Sequence, residues 1–589
     1  MKKHKTEWDL SLLYRNNKDP KIEKDIKEIE GLCNNFEIKY RNKDFTSSPK
    51  KLLITLVDFN KLLEKLERNK SWWYFALKVR LNSSDQFSSA SSTKLSARIT
   101  EAFNKIMFFN LEIGKINKKD QNKFLNNPML TEFRYVLQVI FKKSEFKLSE
   151  KEEQVIDLLS ETSYGMWVKG SSKLVNEQQV IYKNKKIPLS EAISIMSDLE
   201  TRDRRILGQK INQSLKSVSH FAEAEINAVY NYKNILDKRR GYKKPYSNTI
   251  LNYKNNEETI EKLVKLVTKY FSLSKRFYSI QAKILKKKKL TYSDRVASIG
   301  KINKKFDLKS SIEIVMESFN KIDPKYGRIV SMFFENGQVD VYPKKGKSGG
   351  AFCWGMGDLP VFVFLNHTDD IRSVETLAHE MGHAIHTELS KSQPVQYRDY
   401  SMAVAEVAST FFEQVVIDEL EKYLSDDDKI ILLHNKIKGD ISTIFRQIAC
   451  FNFELELHNK IREKGELSKE EMASLLAKHM RAYLGDIVEV TEDDGYQFVS
   501  WSHIRRFFYV YSYAYGQLIS RSLFENWKKD KSYAIKIEKF LSSGGSMSPE
   551  DIFNKAGIDT TDMKFFESGI KSIKKDIDKL EKISLGKSL

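Results

Sequence analysis

The run His379-Glu380-Met381-Gly382-His383 carries two histidines four residues apart, with a glutamate directly after the first. In a helix, residues at this spacing share one face, so both imidazoles leave on the same side. Neutral imidazole is a preferred zinc ligand, and the spacing brings two ring nitrogens to one ion. Glu380 is rotated by about 100° from His379 and can take a proton from a water molecule beside the ion. Gly382 leaves room for a close neighbour. The run predicts a hydrolytic zinc site.

Chance matches to this motif are rare. Histidine accounts for 10 of 589 residues and the acidic residues for 79, so about 0.02 random HExxH matches are expected. The alternative interpretation is a helix with two ordinary histidines. The rarity of the match, together with the amphipathic helix around it, favours a metal site.

A third zinc ligand must come from another element, because Leu389 stands where an HExxHxxGxxH pattern would have its last histidine. His386 could line the site, but it lies on the same helix. The next helix carries Glu406 in a small and apolar neighbourhood, where an unpaired carboxylate is costly and a metal partner would explain it. Glu413 lies on the same face seven residues later. Glu413 either orients a ligand imidazole or lies at the surface.

Hydrolysis of an amide also needs a donor for the oxyanion. His503 is followed by a tyrosine-rich run, in which Tyr509 and Tyr513 share one helical face and Tyr511 and Tyr515 share another. Such an aromatic stripe is more often part of a core. Buried tyrosine hydroxyls need partners, however, and this favours a polar cleft. The spacing leaves open which tyrosine points inward.

Most elements that position these residues are predicted helices. Apolar residues spaced by three and four predict helices over 22–36, 52–66 and 97–116. The HExxH helix begins near 368–370, where Thr and Asp are good N-caps. The low Pro and Gly content, 10 and 25 residues, agrees with long helices.

Strands are predicted at three places. Residues 180–186 have the pattern of a strand and turn. Residues 334–343 place an Asn-Gly pair beside alternating apolar residues, which predicts a β-hairpin. Residues 361–365 are a β-branched and aromatic run and are the strongest strand candidate. The sequence therefore predicts a mainly α protein with a small sheet next to the HExxH helix.

Composition narrows the class of protein. Hydrophobic residues make up 41% of the chain, which supports a large core and excludes wholesale disorder. Cys33, Cys353 and Cys450 are far apart, so we expect no disulfide scaffold and a reducing compartment. No uncharged apolar run of about 18 residues occurs, and no apolar region follows the basic start at Met1, Lys2 and Lys3. We expect no membrane partner, no signal peptide and a cytoplasmic location.

The formal charge is +20, from 99 basic and 79 acidic residues. Such a charge could mark a nucleic-acid partner. Lysine is interleaved with acidic residues, however, and no RNP, helix-turn-helix or zinc-finger pattern occurs. We therefore expect no nucleic-acid partner. Acidic peptides would be attracted by the same field.

Several stretches together resemble oligoendopeptidase F, in the thimet-oligopeptidase-like group of zinc peptidases. The resemblance spans nearly the whole chain. In chain order it is carried by Trp8-Asp9-Leu10, residues 192–199, Arg240-Gly241-Tyr242, residues 346–352, residues 379–386, residues 406–410 and the tyrosine-rich run after His503.

This resemblance implies a large, mainly α, zincin-type peptidase with a prolate body and a deep substrate channel. Such a channel admits short unfolded oligopeptides, whose internal bonds are cleaved. The strand at 361–365 would then offer its backbone to an extended peptide. We divide the chain into an N-terminal helical domain, 1–197, and a peptidase domain, 198–589, which share a core around the channel.

The resemblance also implies one zinc ion per chain and assigns roles to seven side chains. Other divalent ions are accepted by similar donor sets, so the identity of the metal stays open. A peptide-binding protein with a vestigial metal site is the alternative, and the intact Glu380 argues against it. The implied set consists of the zinc ligands His379, His383 and Glu406, the general base Glu380, and the substrate-contacting residues His503, Tyr509 and Tyr513.

Overall fold

The computed structural model describes residues 4–586, so the first three residues of the basic start lie outside the described part. Helices dominate this part, as the sequence predicts. The helices before residue 200 are α1 (Pro20–Tyr40), α2 (Pro49–Glu67), α3 (Ser71–Leu81), α4 (Gln86–Asn104), α5 (Phe108–Gly114), α6 (Lys118–Leu125), α7 (Arg134–Ser144), α8 (Glu150–Ser160), α9 (Met166–Asn176) and α10 (Leu189–Ile195).

The later helices include the pair that carries the predicted metal ligands. Within residues 4–586, none of the helices has both the length and the apolar composition needed to cross a bilayer. The middle helices are α11 (Thr201–Ser217), α12 (Ser219–Arg240), α13 (Ser247–Asn252), α14 (Glu257–Lys269), α15 (Phe271–Ile284), α16 (Leu308–Asn320), α17 (Pro324–Asn336) and α18 (Ile371–Ser390). The last are α19 (Met402–Leu420), α20 (Asp426–Asp440), α21 (Arg446–Lys464), α22 (Lys469–Leu484), α23 (Glu492–Gly495), α24 (Tyr511–Lys529), α25 (Ala534–Leu541), α26 (Pro549–Lys555) and α27 (Met563–Gly586).

The chain forms two compact units, each built from three separate segments. The first unit consists of Met1–Glu145, Asn303–Tyr423 and Leu523–Ile558. The second consists of Phe146–Ile302, Leu424–Ser522 and Asp559–Leu589. The domain boundary placed after residue 197 in the sequence stays a prediction.

The predicted helices over 22–36 and 52–66 are confirmed as α1 and α2. The predicted helix over 97–116 is broken, because α4 ends at Asn104 and α5 begins at Phe108. The break lets Phe108 and Phe109 enter the core that also contains Phe36. Tertiary packing thus interrupts a local pattern that reads as continuous.

Between residues 4 and 586, short strands form three small sheets. They are β1 (Gln179–Tyr182), β2 (Lys185–Pro188), β3 (Leu290–Thr291), β4 (Val339–Asp340), β5 (Phe352–Trp354), β6 (Phe362–Phe364) and β7 (Val488–Glu489). Strands β1 and β2 pair antiparallel, which confirms the strand and turn predicted at 180–186. The turn is formed by Lys183 and Asn184, whose φ angles are 47° and 62°.

The predicted hairpin at 334–343 is wrong. Asn336 ends α17, and Gly337 caps the helix in the left-handed region with φ of 73°. The N–H of Gly337 donates to the carbonyl of Phe333. An Asn-Gly pair serves a helix end as well as a hairpin, because both need a residue with positive φ. The chain then continues directly into β4.

The sheet beside α18 has the order β4-β6-β5. The strand predicted at 361–365 is confirmed as β6, but it is the central strand. It pairs parallel with β4 and antiparallel with β5, so both of its backbone edges are occupied. The expectation that this strand offers its backbone to a peptide is therefore wrong. In the order β4-β6-β5, strand β5 is at an edge of the sheet.

A buried lysine anchors the glycine-rich segment 346–350 that leads into β5. The side chain of Lys347 is fully buried, and its Nζ lies 2.6 Å from Oδ1 of Asp340. The same ammonium donates to the carbonyl of Leu365 at 2.6 Å. The amide of Asn366 donates to two carbonyls of the segment at 2.8 and 3.0 Å. These bonds fix the entry to the edge strand.

Candidate active site

Helix α18 begins where the sequence predicts. Asp370 is the N-cap, and its carboxylate accepts from the N–H of Ser373 at 2.8 Å. Val374, Met381 and Ile385 lie on its apolar stripe and are fully buried. This stripe fixes the rotation of the helix, and therefore the direction in which the motif histidines leave it.

The side chains of His379, His383 and Glu406 converge. One potential ligand atom from each lies within 4.8 Å of the other two. The two imidazole centroids are 5.0 Å apart, with an angle of 83° between the rings. Oε2 of Glu406, on α19, lies 3.7 Å from Nε2 of His379. Two imidazoles and one carboxylate within this distance fit the donor set of a zinc ion with an open fourth position.

Gly382 allows the two helices to come this close. A Cβ atom at this position would lie 2.8 Å from Cα of Ser409 and 3.1 Å from Cβ of Phe412, both on α19. Any larger side chain would push the helices apart. Glu406 lies about one turn before Ser409, so its reach to the imidazoles depends on this contact.

Glu413 holds the first imidazole of the motif. Its Oε2 lies 2.9 Å from Nδ1 of His379. Of the two positions expected for Glu413, it therefore adopts the one beside an imidazole of the motif. With Nδ1 as donor, Nε2 keeps its lone pair for an ion. Burial disfavours the charged ring, but Glu413 and the nearby Glu380 and Glu406 outweigh it and raise the pKa of His379 to about 9. The surroundings thus favour a positive charge, which a divalent ion would supply.

Glu380 is 6% exposed, and its Oε2 has no hydrogen-bond partner within the described residues. Burial raises the pKa of Glu380 to about 7, with His379 opposing the shift and Glu406 adding to it. A carboxyl group that titrates near neutrality can both accept and release a proton. The backbone of Cys353 hydrogen-bonds to this carboxylate and so links it to the edge strand β5.

Two further residues of α18, His386 and Glu375, differ in their relation to the ligand group. His386 does not join it, because its ring stacks on Tyr400 with centroids 3.7 Å apart and burial lowers its pKa to about 3. Glu375 was missed in the sequence. Burial, aided by the charge of Glu413, raises the pKa of Glu375 to about 8. Its position four residues before His379 places it on the ligand face, and this spacing was the available signal.

In the second unit, two of the candidate tyrosines lie close to His503. Its Nδ1 lies 2.8 Å from the hydroxyl of Tyr509, which lies 3.3 Å from the hydroxyl of Tyr513. Tyr511 is fully buried, and its hydroxyl accepts from the amide of Asn255 at 3.2 Å. Tyr509 and Tyr513 therefore form the polar cluster, while Tyr511 belongs to the core. Burial, with nearby arginines, lowers the pKa of His503 to about 4, so its ring is neutral near pH 7.

Comparison with known proteins identifies the family and the fold of the chain. The sequence pattern of peptidase family M3 matches residues 196–572, and that of oligopeptidase F matches residues 112–177. An oligoendopeptidase F homolog of Borreliella burgdorferi is 26% identical over 98% of each chain. A crystal structure of a Chlamydophila abortus protein has a TM-score of 0.85 and 22% identity over 98% of each chain. The oligoendopeptidase-F structure from Enterococcus faecium has a TM-score of 0.71 and 17% identity, covering 96% of this chain and 99% of that one.

The fold is that of the helical oligopeptidases, with a small sheet beside the HExxH helix. The match over residues 196–572 covers well over half of the sequence, and the chain belongs to peptidase family M3. It is a metallo-oligopeptidase.

Proposed function

We propose that the protein is a zinc-dependent endopeptidase that hydrolyses internal bonds of short unfolded oligopeptides. His379, His383 and Glu406 hold the ion, and Glu380 is the general base. The observation that carries this proposal is the convergence of the three donor atoms within 4.8 Å of one another. The buried side chain of Glu380 follows His379 directly, and its Oε2 has no hydrogen-bond partner among residues 4–586.

The chemistry divides between the metal and the protein. A zinc ion in this site supplies Lewis acidity towards water and towards the carbonyl oxygen of the substrate. Glu380 accepts a proton from the attacking water and returns it to the leaving amine. Its pKa of about 7 suits both steps near neutral pH. Glu413 keeps the imidazole of His379 in the tautomer that leaves Nε2 unprotonated.

His503, Tyr509 and Tyr513 contact the substrate and stabilise the oxyanion. This assignment rests on the resemblance to oligoendopeptidase F and on the geometry of the cluster itself. Burial raises the pKa of Tyr509 well above its usual range, which keeps the phenol protonated and able to donate. With Nδ1 as the donor, the neutral ring of His503 bonds to the hydroxyl oxygen of Tyr509 and leaves the phenol proton free for the oxyanion.

The edge strand β5 is the binding surface for an extended peptide. Its partner β6 occupies one side only, so the other side can form main-chain hydrogen bonds with a substrate. The backbone of Cys353 in β5 bonds to Glu380, which brings the peptide-binding strand next to the general base. Main-chain recognition of this kind accepts unfolded peptides of many sequences.

The proposal is tested with internally quenched fluorescent peptides and mass spectrometry of the products. Removal of the metal with 1,10-phenanthroline should abolish cleavage, and zinc should restore it. Metal analysis of the purified protein should give one ion per chain. Undiminished cleavage after metal removal would refute the proposal. Peptide binding without cleavage by the zinc-loaded protein would instead identify a peptide-binding protein with a vestigial site.

A further inference from the structure

The backbone between His503 and Tyr509 takes an unfavourable path. Phe507 and Phe508 have φ angles of 49° and 63°, in the left-handed region that bulky side chains rarely adopt. These two residues form a left-handed turn, which separates the short 3-10 helix Ser502–Arg506 from α24. Two adjacent residues persist in this conformation only when the surroundings hold them there.

The turn is what brings the histidine and the tyrosine together. In a continuous helix, residues six positions apart point in different directions, about 240° around the axis. Because the helical path is interrupted at Phe507 and Phe508, the hydroxyl of Tyr509 can lie 2.8 Å from Nδ1 of His503. If the turn relaxed, this contact would be lost although both side chains remained in the sequence.

Two side chains from other helices hold the turn. Oε1 of Glu454, on α21, accepts from the N–H of Phe508 at 2.9 Å. The hydroxyl of Thr249, on α13, donates to the carbonyl of Phe507 at 2.7 Å. The backbone groups at the centre of the turn are therefore bound by side chains and not by a regular helix or sheet.

Glu454 has an unusual environment for a carboxyl group. It is fully buried, and its Oε2 has no hydrogen-bond partner within the described residues. Nε2 of His458 is 3.9 Å from Oε1, too far for a hydrogen bond. A buried carboxyl with one unsatisfied oxygen destabilises the fold relative to an apolar side chain of the same size. The bond to Phe508 is the interaction that such an apolar side chain could not replace.

The segment before the turn is anchored separately. The hydroxyl of Tyr230 donates to the carbonyl of Ile504 at 3.1 Å, and that of Tyr164 to the carbonyl of Arg505 at 2.5 Å. The guanidinium of Arg505 forms two bonds with the buried carboxylate of Glu225, at 2.8 and 3.0 Å. With the preceding residues fixed in this way, loss of the Glu454 bond would act on the turn itself and on the tyrosine that follows it.

We propose that Glu454 is a positioning residue that clamps the left-handed turn at Phe507 and Phe508 and thereby holds the Tyr509 hydroxyl against His503. The inference rests on the proposed function, in which Tyr509 and His503 act on the peptide. Glu454 itself does not touch the substrate. Its effect on the reaction is transmitted through one backbone hydrogen bond.

Two substitutions of Glu454 test the clamp, because one keeps an oxygen that can accept from the N–H of Phe508 and the other does not. Burial raises the pKa of Glu454 well above its usual range, so the neutral acid is the favoured form. Glutamine has nearly the same shape, is neutral and keeps an acceptor oxygen for the N–H of Phe508. Methionine fills a similar volume without an oxygen acceptor. Glu454→Gln should therefore preserve the clamp, and Glu454→Met should remove it.

The first experiment compares kcat and KM for peptide hydrolysis. We expect Glu454→Met to lower kcat about 10- to 100-fold, because a small displacement of a catalytic group has an effect of this size. KM and zinc content should stay within about threefold of the wild type, and Glu454→Gln should restore kcat to within the same range. Glu456→Gln and Glu456→Met are matched controls, because Glu456 lies on the same helix and pairs with Lys478 and His479 at 2.7 Å. Equal kcat for Glu454→Met and the wild type would overturn the proposal.

A double-mutant cycle with Tyr509→Phe separates positioning from a general loss of stability. If the clamp acts through the Tyr509 hydroxyl, Glu454→Met should change kcat less than threefold in the Tyr509→Phe background. Independent, multiplicative losses would overturn the proposal. A wild type without peptidase activity would refute the proposed function instead. The clamp is then tested by amide hydrogen exchange at Phe508, where faster exchange in Glu454→Met than in Glu454→Gln supports it and equal rates overturn it.

Discussion

Nδ1 of His379 and Oε2 of Glu413 are 2.9 Å apart, and they join helix α18 to helix α19. The contact fixes the imidazole in one orientation and one tautomer. Helix α19 also supplies Glu406, whose Oε2 lies 3.7 Å from Nε2, the other nitrogen of the His379 ring. One imidazole is thus held at one nitrogen and left open at the other, which is the arrangement that a metal ligand requires.

Glu413→Gln should weaken zinc binding without removing a ligand. Loss of a carboxylate that orients a ligand imidazole lowers metal affinity about 10- to 100-fold. Activity should be recovered when zinc is added in excess, and a competitive zinc chelator measures the change in affinity. Glu419→Gln is the control, since Glu419 lies on the same helix but pairs with Lys422 at 2.8 Å. Equal zinc affinity in both variants would contradict the role of Glu413.

Glu380→Gln should retain zinc and lose activity. The substitution keeps the shape of the side chain but removes the proposed proton acceptor, so kcat should fall by at least about 100-fold. Zinc content is measured by mass spectrometry and peptide binding by fluorescence anisotropy. Peptide hydrolysis at the wild-type rate would show that another group is the base. If both proteins bind peptide and neither cleaves it, the peptide-binding alternative gains support.

The sequence predicts the position of helix α18 well because its signal is local. The HExxH spacing, the Asp370 cap and the apolar stripe all fall within twenty residues and depend only on helix geometry. Glu406 stands out in the sequence because a carboxylate among small apolar residues needs an explanation. The contact that brings it to the imidazoles is Gly382 against Ser409, and it joins residues of two helices that no local pattern connects.

The sequence does not predict features that depend on tertiary contacts. The strand at 361–365 was found, but its central place in the sheet depends on pairing with β4 and β5. The sequence places Tyr509 and Tyr513 on one helical face, whereas α24 begins only at Tyr511. The turn at Phe507 and Phe508 has no glycine to mark it. It is held by side chains more than fifty residues away in the sequence.

Tyr509→Phe and Tyr511→Phe should separate in their effects, although they are two residues apart. The Tyr509 hydroxyl belongs to the cluster with His503, and its loss removes the proposed oxyanion donor, so kcat should fall about 100-fold. The Tyr511 hydroxyl accepts from the buried amide of Asn255. Its loss should cost about 1 kcal/mol in the free energy of unfolding and leave kcat within about twofold. Steady-state kinetics and urea unfolding measure the two quantities, and a larger kcat effect for Tyr511→Phe would contradict the assignment.

Gly382→Ala should damage the metal site through packing alone. The new Cβ would lie 2.8 Å from the backbone of Ser409, so α18 and α19 must move apart. Overpacking of this kind lowers the free energy of unfolding by about 1–3 kcal/mol. Because Glu406 moves away with α19, zinc affinity should also fall, although no ligand has been changed. Gly439→Ala is the matched control: Gly439 lies in α20 with nothing within 4 Å of the added carbon, and alanine there should stabilise the helix by about 0.5–1 kcal/mol. Thermal unfolding and zinc titration of the two variants test whether the close approach of the two helices sets the affinity, and unchanged zinc affinity in Gly382→Ala would show that it does not.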